Sequence, residues 1–168
     1  MVEIKRADKD HVHAIAKLCI DGYWNTFGGT HSKDYIKRII NEFYNIDRLR
    51  TEVDENSEAW GGYFIAVDDG RIKGASAGGM IDSNAGEVFF LYVDSNERHS
   101  GVASKLLEAV TKQQVDMGAD EQWISIHAEN ENGIGFYESK GFEFKHEGPG
   151  SGIYQDGNYL SLRYSRKI

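Results

Sequence analysis

Residues 87–118 constrain the fold more than any other part of the chain. The run Glu87-Val88-Phe89-Phe90-Leu91-Tyr92-Val93 is largely apolar. A polar loop over 94–101 with one glycine follows, and it opens directly into a helical pattern with Val102, Ala103, Leu106, Leu107 and Val110 on one face, ended by Gly118. The apolar run is suited to burial on both faces, which places it in the middle of a sheet. A central strand that feeds a helix through a short loop is a unit of layered α/β architecture.

The flanking segments supply the remaining layers. Residues 2–6 alternate apolar and polar as a strand does, and Asp8-Lys9-Asp10 offers capping groups to the pattern that follows. In that pattern Val12, Ile15, Ala16, Cys19 and Tyr23 recur at three- and four-residue steps until Phe27-Gly28-Gly29. Tyr35, Ile36, Ile39, Ile40 and Phe43 make a second helix, and a short third helix is expected over 47–55 despite its charge and narrow apolar face. The period then changes to two. Strands over 63–67 and 72–81 flank the tight turn Asp68-Asp69-Gly70-Arg71, and 87–93 follows the turn at 82–86. A strand over 123–128, a short helix over 132–140, strand character from 142 with turns at 148–150 and 156–157, and a last strand over 159–164 complete the chain. No repeat, linker or low-complexity tract interrupts it, so residues 1–168 read as one α/β domain with a mixed sheet.

Composition narrows the function classes. With 40% apolar and 27% charged residues the chain sits among ordinary globular proteins, away from disordered or membrane-spanning ones. No apolar stretch nears the roughly 20 residues of a membrane span, and the charged opening lacks a secretory h-region. A cytoplasmic location without membrane attachment is expected. The single cysteine, Cys19, falls on the apolar face of the first helix and excludes a disulfide framework. A net charge of -8 disfavours nucleic acid and suits either solubility or cationic partners. His11, His13, His31, His99, His127 and His146 show no metal-ligand spacing with carboxylates on a shared helix face, so no metal site is expected, and His127 reads as a residue on the sheet surface.

The junction at 98–104 has the makings of a phosphate site. A helix N-terminus presents unpaired amides and about half a positive charge, so a loop arriving there can hold a diphosphate with few cationic side chains. Gly101 allows close approach, Ala103 keeps the helix start uncrowded, and Arg98 and Ser104 add donors. Spacing alone leaves the ligand open, because many strand-loop-helix junctions hold one glycine. Walker and dinucleotide-binding patterns are absent: no G-x-x-x-x-G-K-[ST] occurs, and neither Gly61-Gly62 nor Gly78-Gly79 opens a G-x-G-x-x-G run into a helix.

Three motifs in order then make the resemblance specific. Leu91-Tyr92-Val93, Arg98-x-x-Gly101-x-Ala103, and Asn130 with Gly133-Ile134-Gly135-Phe136-Tyr137 and Gly141-Phe142 resemble the pattern of the GNAT (GCN5-related) N-acetyltransferases, in particular the bacterial small-molecule and polyamine branch. The resemblance spans nearly the whole chain. It implies a mixed, mostly antiparallel sheet of six to seven strands with helices on both faces and a splayed central parallel pair. Acetyl-CoA would lie in that gap, its arm along Leu91, Tyr92 and Val93, its pyrophosphate on Arg98, His99, Ser100, Gly101, Val102, Ala103 and Ser104, and Asn130 beside the arm. Ala103 stands where glycine is commoner, and Gly133 and Gly135 replace alanine-like residues.

The resemblance also assigns chemistry. An alkyl amine with a pKa of about 10.4 must lose a proton before it attacks, and Glu87 matches the position of a general base. Phe89 stands where many members carry a second Glu. The Val93 amide would face the developing oxyanion. Tyr137 would return a proton to the leaving thiolate and contact the cofactor. Tyr23, Trp24 and Phe27 would border the acceptor, since Tyr-Trp-x-Thr-Phe is similar to polyamine-acetylating relatives and aromatic rings suit a cation. The implied reaction is direct acetyl transfer in a ternary complex to a small primary amine, in a monomer or homodimer. Acetylation of protein N-termini or lysines is the rival enzyme reading, and a non-catalytic acyl-CoA sensor is the rival of another class.

Overall fold

The computed structural model describes residues 1–97, 100–148 and 160–168. Arg98 and His99 lie outside the described residues, as do the turns expected beyond 148 and the start of the expected last strand at 159.

Local signals act where the sequence put them. Strand β1 (Glu3–Arg6) is followed by Asp8, whose carboxylate accepts from the Asp10 amide at 2.8 Å, while His11 Nδ1 accepts from the Asp8 amide at 3.0 Å. This reciprocal cap starts a 3₁₀ turn over Lys9–His11 that leads into helix α1 (Val12–Phe27), which buries Val12, Ile15, Ala16, Cys19, Tyr23 and Phe27. Burial pushes the Cys19 thiol pKa up, as expected of a structural thiol. Helices α2 (Lys33–Phe43) and α3 (Ile46–Asp54) are capped by Ser32, which accepts from the Tyr35 amide at 3.2 Å, and by Asn45, which accepts from the Arg48 amide at 2.9 Å. The expected third helix is present.

Strands β2 (Tyr63–Asp68) and β3 (Arg71–Met80) form a hairpin through Asp69 and Gly70, whose φ values of 53° and 73° suit the right-handed twist of the pair. Strand β4 (Ala85–Val93) continues the meander. Helix α4 (Val102–Asp116) leads to β5 (Glu121–His127), helix α5 (Glu131–Ser139), and strands β6 (Glu143–Glu147) and β7 (Ser161–Lys167). One seven-stranded sheet runs β1-β2-β3-β4-β5-β7-β6, in which β4 and β5 are the parallel pair among the described strands. The sheet is the mixed one expected, with helices on both faces.

Two core devices shape the site. The buried amide of Gln114 on α4 donates to the Glu87 carbonyl at 2.8 Å and accepts from Gln122 Nε2 at 3.0 Å. A Cβ at Gly78 would come within 2.7 Å of that side chain and one at Gly86 within 2.3 Å, so the glycines of β3 and β4 make room for it. The second device is a bulge. Ala77 pairs with Phe90 and Gly78 with Val88, leaving Phe89 outside the register. The alternation is reset there: Val88, Leu91 and Val93 pack with α4, whereas Phe90 and Tyr92 pack in the core beneath α1.

Candidate active site

The parallel pairing of β4 and β5 runs from Ala85↔Glu121 to Val88↔Ile124 and stops. Beyond it the strands part, and a cavity of about 1000 Å³ opens between them. Its walls include Leu91, Tyr92 and Val93 of β4, Ser125 and Ile126 of β5, the start of α4 at Gly101, Ala103 and Ser104, and Asn130, Gly133, Gly135 and Tyr137 at α5. Asp94 donates its amide to the Lys73 carbonyl of β3 at 2.8 Å, so by strand alternation the amides of Val93 and Leu91 turn toward the gap. Unpaired strand edges of this kind match the amide-bearing arm of a pantetheine.

At one end of the cavity stands the N-terminus of α4. Gly101 adopts φ 86° with nothing within 4 Å of a would-be Cβ, and α4 has no side-chain cap; the Val102 amide reaches Ser100 Oγ only at 3.4 Å. The first amides of a helix have no partner within the helix, and here they front a cavity. Glu97, whose charge opposes an anion, is offset by Lys73 at 3.1 Å. Of the residues expected at the pyrophosphate, Gly101, Ala103 and Ser104 line the cavity. Val102 points into the core, Ser100 turns its hydroxyl onto the Glu97 carbonyl at 2.5 Å, and Arg98 and His99 lie outside the described residues.

The α5 end explains a departure noted in the sequence. Asn130 caps α5 by accepting from the Gly133 amide at 3.0 Å, and a Cβ on Gly133 would fall 2.5 Å from Asn130 Nδ2. The glycine admits the folded-back asparagine. Tyr137 is buried against Phe136 and Phe142, with ring centroids 5.0 and 5.4 Å away, and reaches the cavity wall.

Glu87, expected as the general base, is held by an ion pair. It is fully buried, is not among the cavity-lining residues, and accepts from Arg163 Nη1 of β7 at 2.9 Å. Arg163 also donates to Ser125 Oγ at 2.8 Å and lies over the Trp123 ring. The expected acceptor residues separate too. Phe27 lines the cavity, Trp24 faces a smaller cavity of about 670 Å³ beside it, and Tyr23 is a core residue packed between Phe27 and Tyr44. Phe89 lines the cavity and stacks on Trp60 at 6.0 Å.

The sequence reading misjudged one cluster. His127, expected on the sheet surface, is 1% exposed, because the connection between α1 and α2 folds over the end of β5. His31 from that connection stacks on Phe27 at 4.6 Å and meets His127 edge-on at 5.0 Å, and its Nε2 lies 3.8 Å from Glu129 Oε2. Burial lowers the His31 pKa, opposed by the charge of Glu129. His31, His127 and Glu129 each bring one donor atom within 4.8 Å of the others, a cluster that local spacing does not show because His31 comes from a segment 96 positions before His127.

Residues 29–142 match the family model described as "Acetyltransferase (GNAT) family". A curated relative, the spermidine N(1)-acetyltransferase of Thermoplasma acidophilum, is 24% identical over 161 residues, covering 95% of this chain and 99% of its own. Among solved structures, the PaiA N-acetyltransferase of Thermoplasma acidophilum in complex with coenzyme A superposes with a TM-score of 0.85 at 20% identity, over 100% of this chain and 99% of that one. Ard1 of Thermoplasma volcanium has a TM-score of 0.72 at 14% identity, over 99% and 97%.

Proposed function

The chain belongs to the GNAT family of acetyltransferases, enzymes that use acetyl-CoA, and we propose that it acetylates the primary amine of a small cationic acceptor such as a polyamine. The observation that carries the reading is the cavity at the parted strands, open to the α4 amides at one end and bordered by carboxylates. Among the described residues its charged lining is Asp94, Glu129, Glu131 and the Lys73-paired Glu97 against Lys140, a balance that favours a cation. The distant relative named for spermidine adds to this.

The residues present fit acetyl-CoA. The Leu91 and Val93 edges would take its arm, the amides at Gly101, Ala103 and Ser104 its pyrophosphate, and Asn130 would stand beside the arm. When bound, it supplies an activated acetyl thioester. The Val93 amide, turned to the gap, is the donor for charge developing on the carbonyl oxygen. Tyr137 holds a phenolic proton on the wall where a leaving thiolate needs one. Glu87 acts in this reading through Arg163, fixing the seam between β5 and β7 rather than meeting the amine.

The test is thiol release from acetyl-CoA with a panel of spermidine, spermine, small diamines and short peptides. Release with the polyamines and diamines is expected. Activity confined to peptides would move the acceptor to protein, and acetyl-CoA binding without release for any amine would make the chain a sensor.

A further inference from the structure

Once Glu87 is paired with Arg163, the amine still needs a destination for its proton, and the structure places other groups at the cavity. We propose that Glu129 takes the proton of the acceptor amine, with His31 behind it positioning the carboxylate and His127 packed against that imidazole. The proposal rests on amine acetylation at this cavity.

Glu129 is on the cavity wall together with Phe27, Ser125 and Tyr137, and its side chain is 38% exposed. Behind it the His31 side chain is fully covered, with its Nε2 3.8 Å from the carboxylate. His127 stands edge-on to the His31 ring, and Phe27 closes the layer with contacts of 4.6 Å to His31 and 4.7 Å to His127. Among the described residues, the titratable groups packed against His31 are Tyr35 of α2, whose ring is 5.4 Å away, His127 of β5, and Glu129. Burial inclines the imidazole to the neutral form, while the charge of Glu129 stabilises the cation. Glu129 is thus a catalytic candidate, and His31 and His127 are positioning residues acting through it.

One ammonium proton passes to a Glu129 oxygen and from there to solvent, which the half-exposed carboxylate reaches. The neutral nitrogen then forms the C–N bond with the acetyl carbon as the C–S bond breaks. Tyr137 gives its phenolic proton to the departing sulfur, and a second proton from the nitrogen restores the phenol. One proton per turnover leaves by way of Glu129.

The experiment compares Glu129→Gln with the wild-type enzyme in kcat/KM from pH 7 to 10, in the presence of a chelator, with two acceptors. One is spermidine and the other a hydrazide that is neutral at pH 7. With spermidine at pH 7 the variant should lose about 10²-fold, the lower range for a general base, and the loss should shrink as pH approaches the amine pKa of about 10. The hydrazide has no such proton to lose, so its loss should be roughly tenfold smaller or less. His31→Gln, checked by thermal melting for a folded state, should show the same acceptor dependence.

Equal losses with both acceptors would overturn the proposal. A loss confined to KM and indifferent to pH would reduce Glu129 to a cation anchor and overturn it as well. Loss of wild-type activity to the chelator would overturn it in favour of a metal held by the same three groups. Wild-type activity with an indistinguishable variant would remove the role of Glu129 alone, whereas wild-type inactivity with both acceptors would remove the functional reading with it.

Discussion

Replacing Glu87 with glutamine separates a structural carboxylate from a catalytic one. The wild-type pair is sealed: Glu87 is fully buried, the Arg163 side chain is 10% exposed, and they meet at 2.9 Å. Removing one partner of a buried pair leaves the other charge uncompensated and costs about 3–5 kcal/mol. Glutamine keeps a carbonyl oxygen in place, and Ser125 Oγ still accepts from Arg163 at 2.8 Å, so the cost should fall at the lower end, about 3 kcal/mol. For a chain of 168 residues each kcal/mol moves Tm by about 2–4 °C, so a drop of about 6–12 °C is expected in calorimetry or a circular-dichroism melt. Acetyl transfer assayed well below the lowered Tm should retain most of kcat. A double variant with Arg163→Gln should recover part of the lost stability, because no charge is then stranded. The reasoning is refuted if Glu87→Gln melts within ~2 °C of the wild type while kcat falls ~10²-fold, the size of a lost general base.

Three further outcomes are expected. Tyr137→Phe should lower kcat by about 10²-fold with acetyl-CoA affinity changed little, because the ring packing against Phe136 and Phe142 survives; a large loss of binding in calorimetric titration would assign Tyr137 to structure instead. Gly101→Val should cost about 1–2 kcal/mol in denaturant unfolding, since φ 86° disfavours a β-branched residue although space is open, and should raise KM for acetyl-CoA more than for the amine. His31 has its pKa lowered by burial, so the unfolded chain binds its proton at a higher pH than the folded one. The contribution is therefore present above the ordinary histidine pKa of about 6.5 and lost as pH falls below it. Melting temperatures between pH 7.5 and 5 should fall less steeply for His31→Gln than for the wild type.

The two halves of the candidate site were unequally legible. The cofactor half is built from contiguous segments whose local chemistry shows in the residue order: the apolar strand ending in Leu91-Tyr92-Val93, the glycine at a helix start, and Asn130 capping a helix that carries Tyr137. Even the replacement of alanine by Gly133 has a local cause, the asparagine folded over it. The acceptor half lacks that character. Glu87 reads as an available carboxylate until β7 inserts beside β5 and sets Arg163 76 positions away in sequence against it. His127 reads as a surface residue until the connection after α1 covers it with His31 and Phe27. Tyr23 and Phe27 share one apolar stripe, and only the packing decides that the first enters the core while the second reaches the cavity.

The sequence by itself determined the order of elements and a helix start suited to a phosphate, while the parallel strand pair and acetyl-CoA followed from the family resemblance that its motifs carry. Hydrophobic period, caps and glycine backbone freedom act over a few residues and are written in them. Tertiary structure alone decided which charges pair with each other and which face the cavity. Ion pairs and buried histidines depend on groups that meet only after the sheet is assembled, and no spacing along the chain encodes a 2.9 Å contact between residues 76 positions apart.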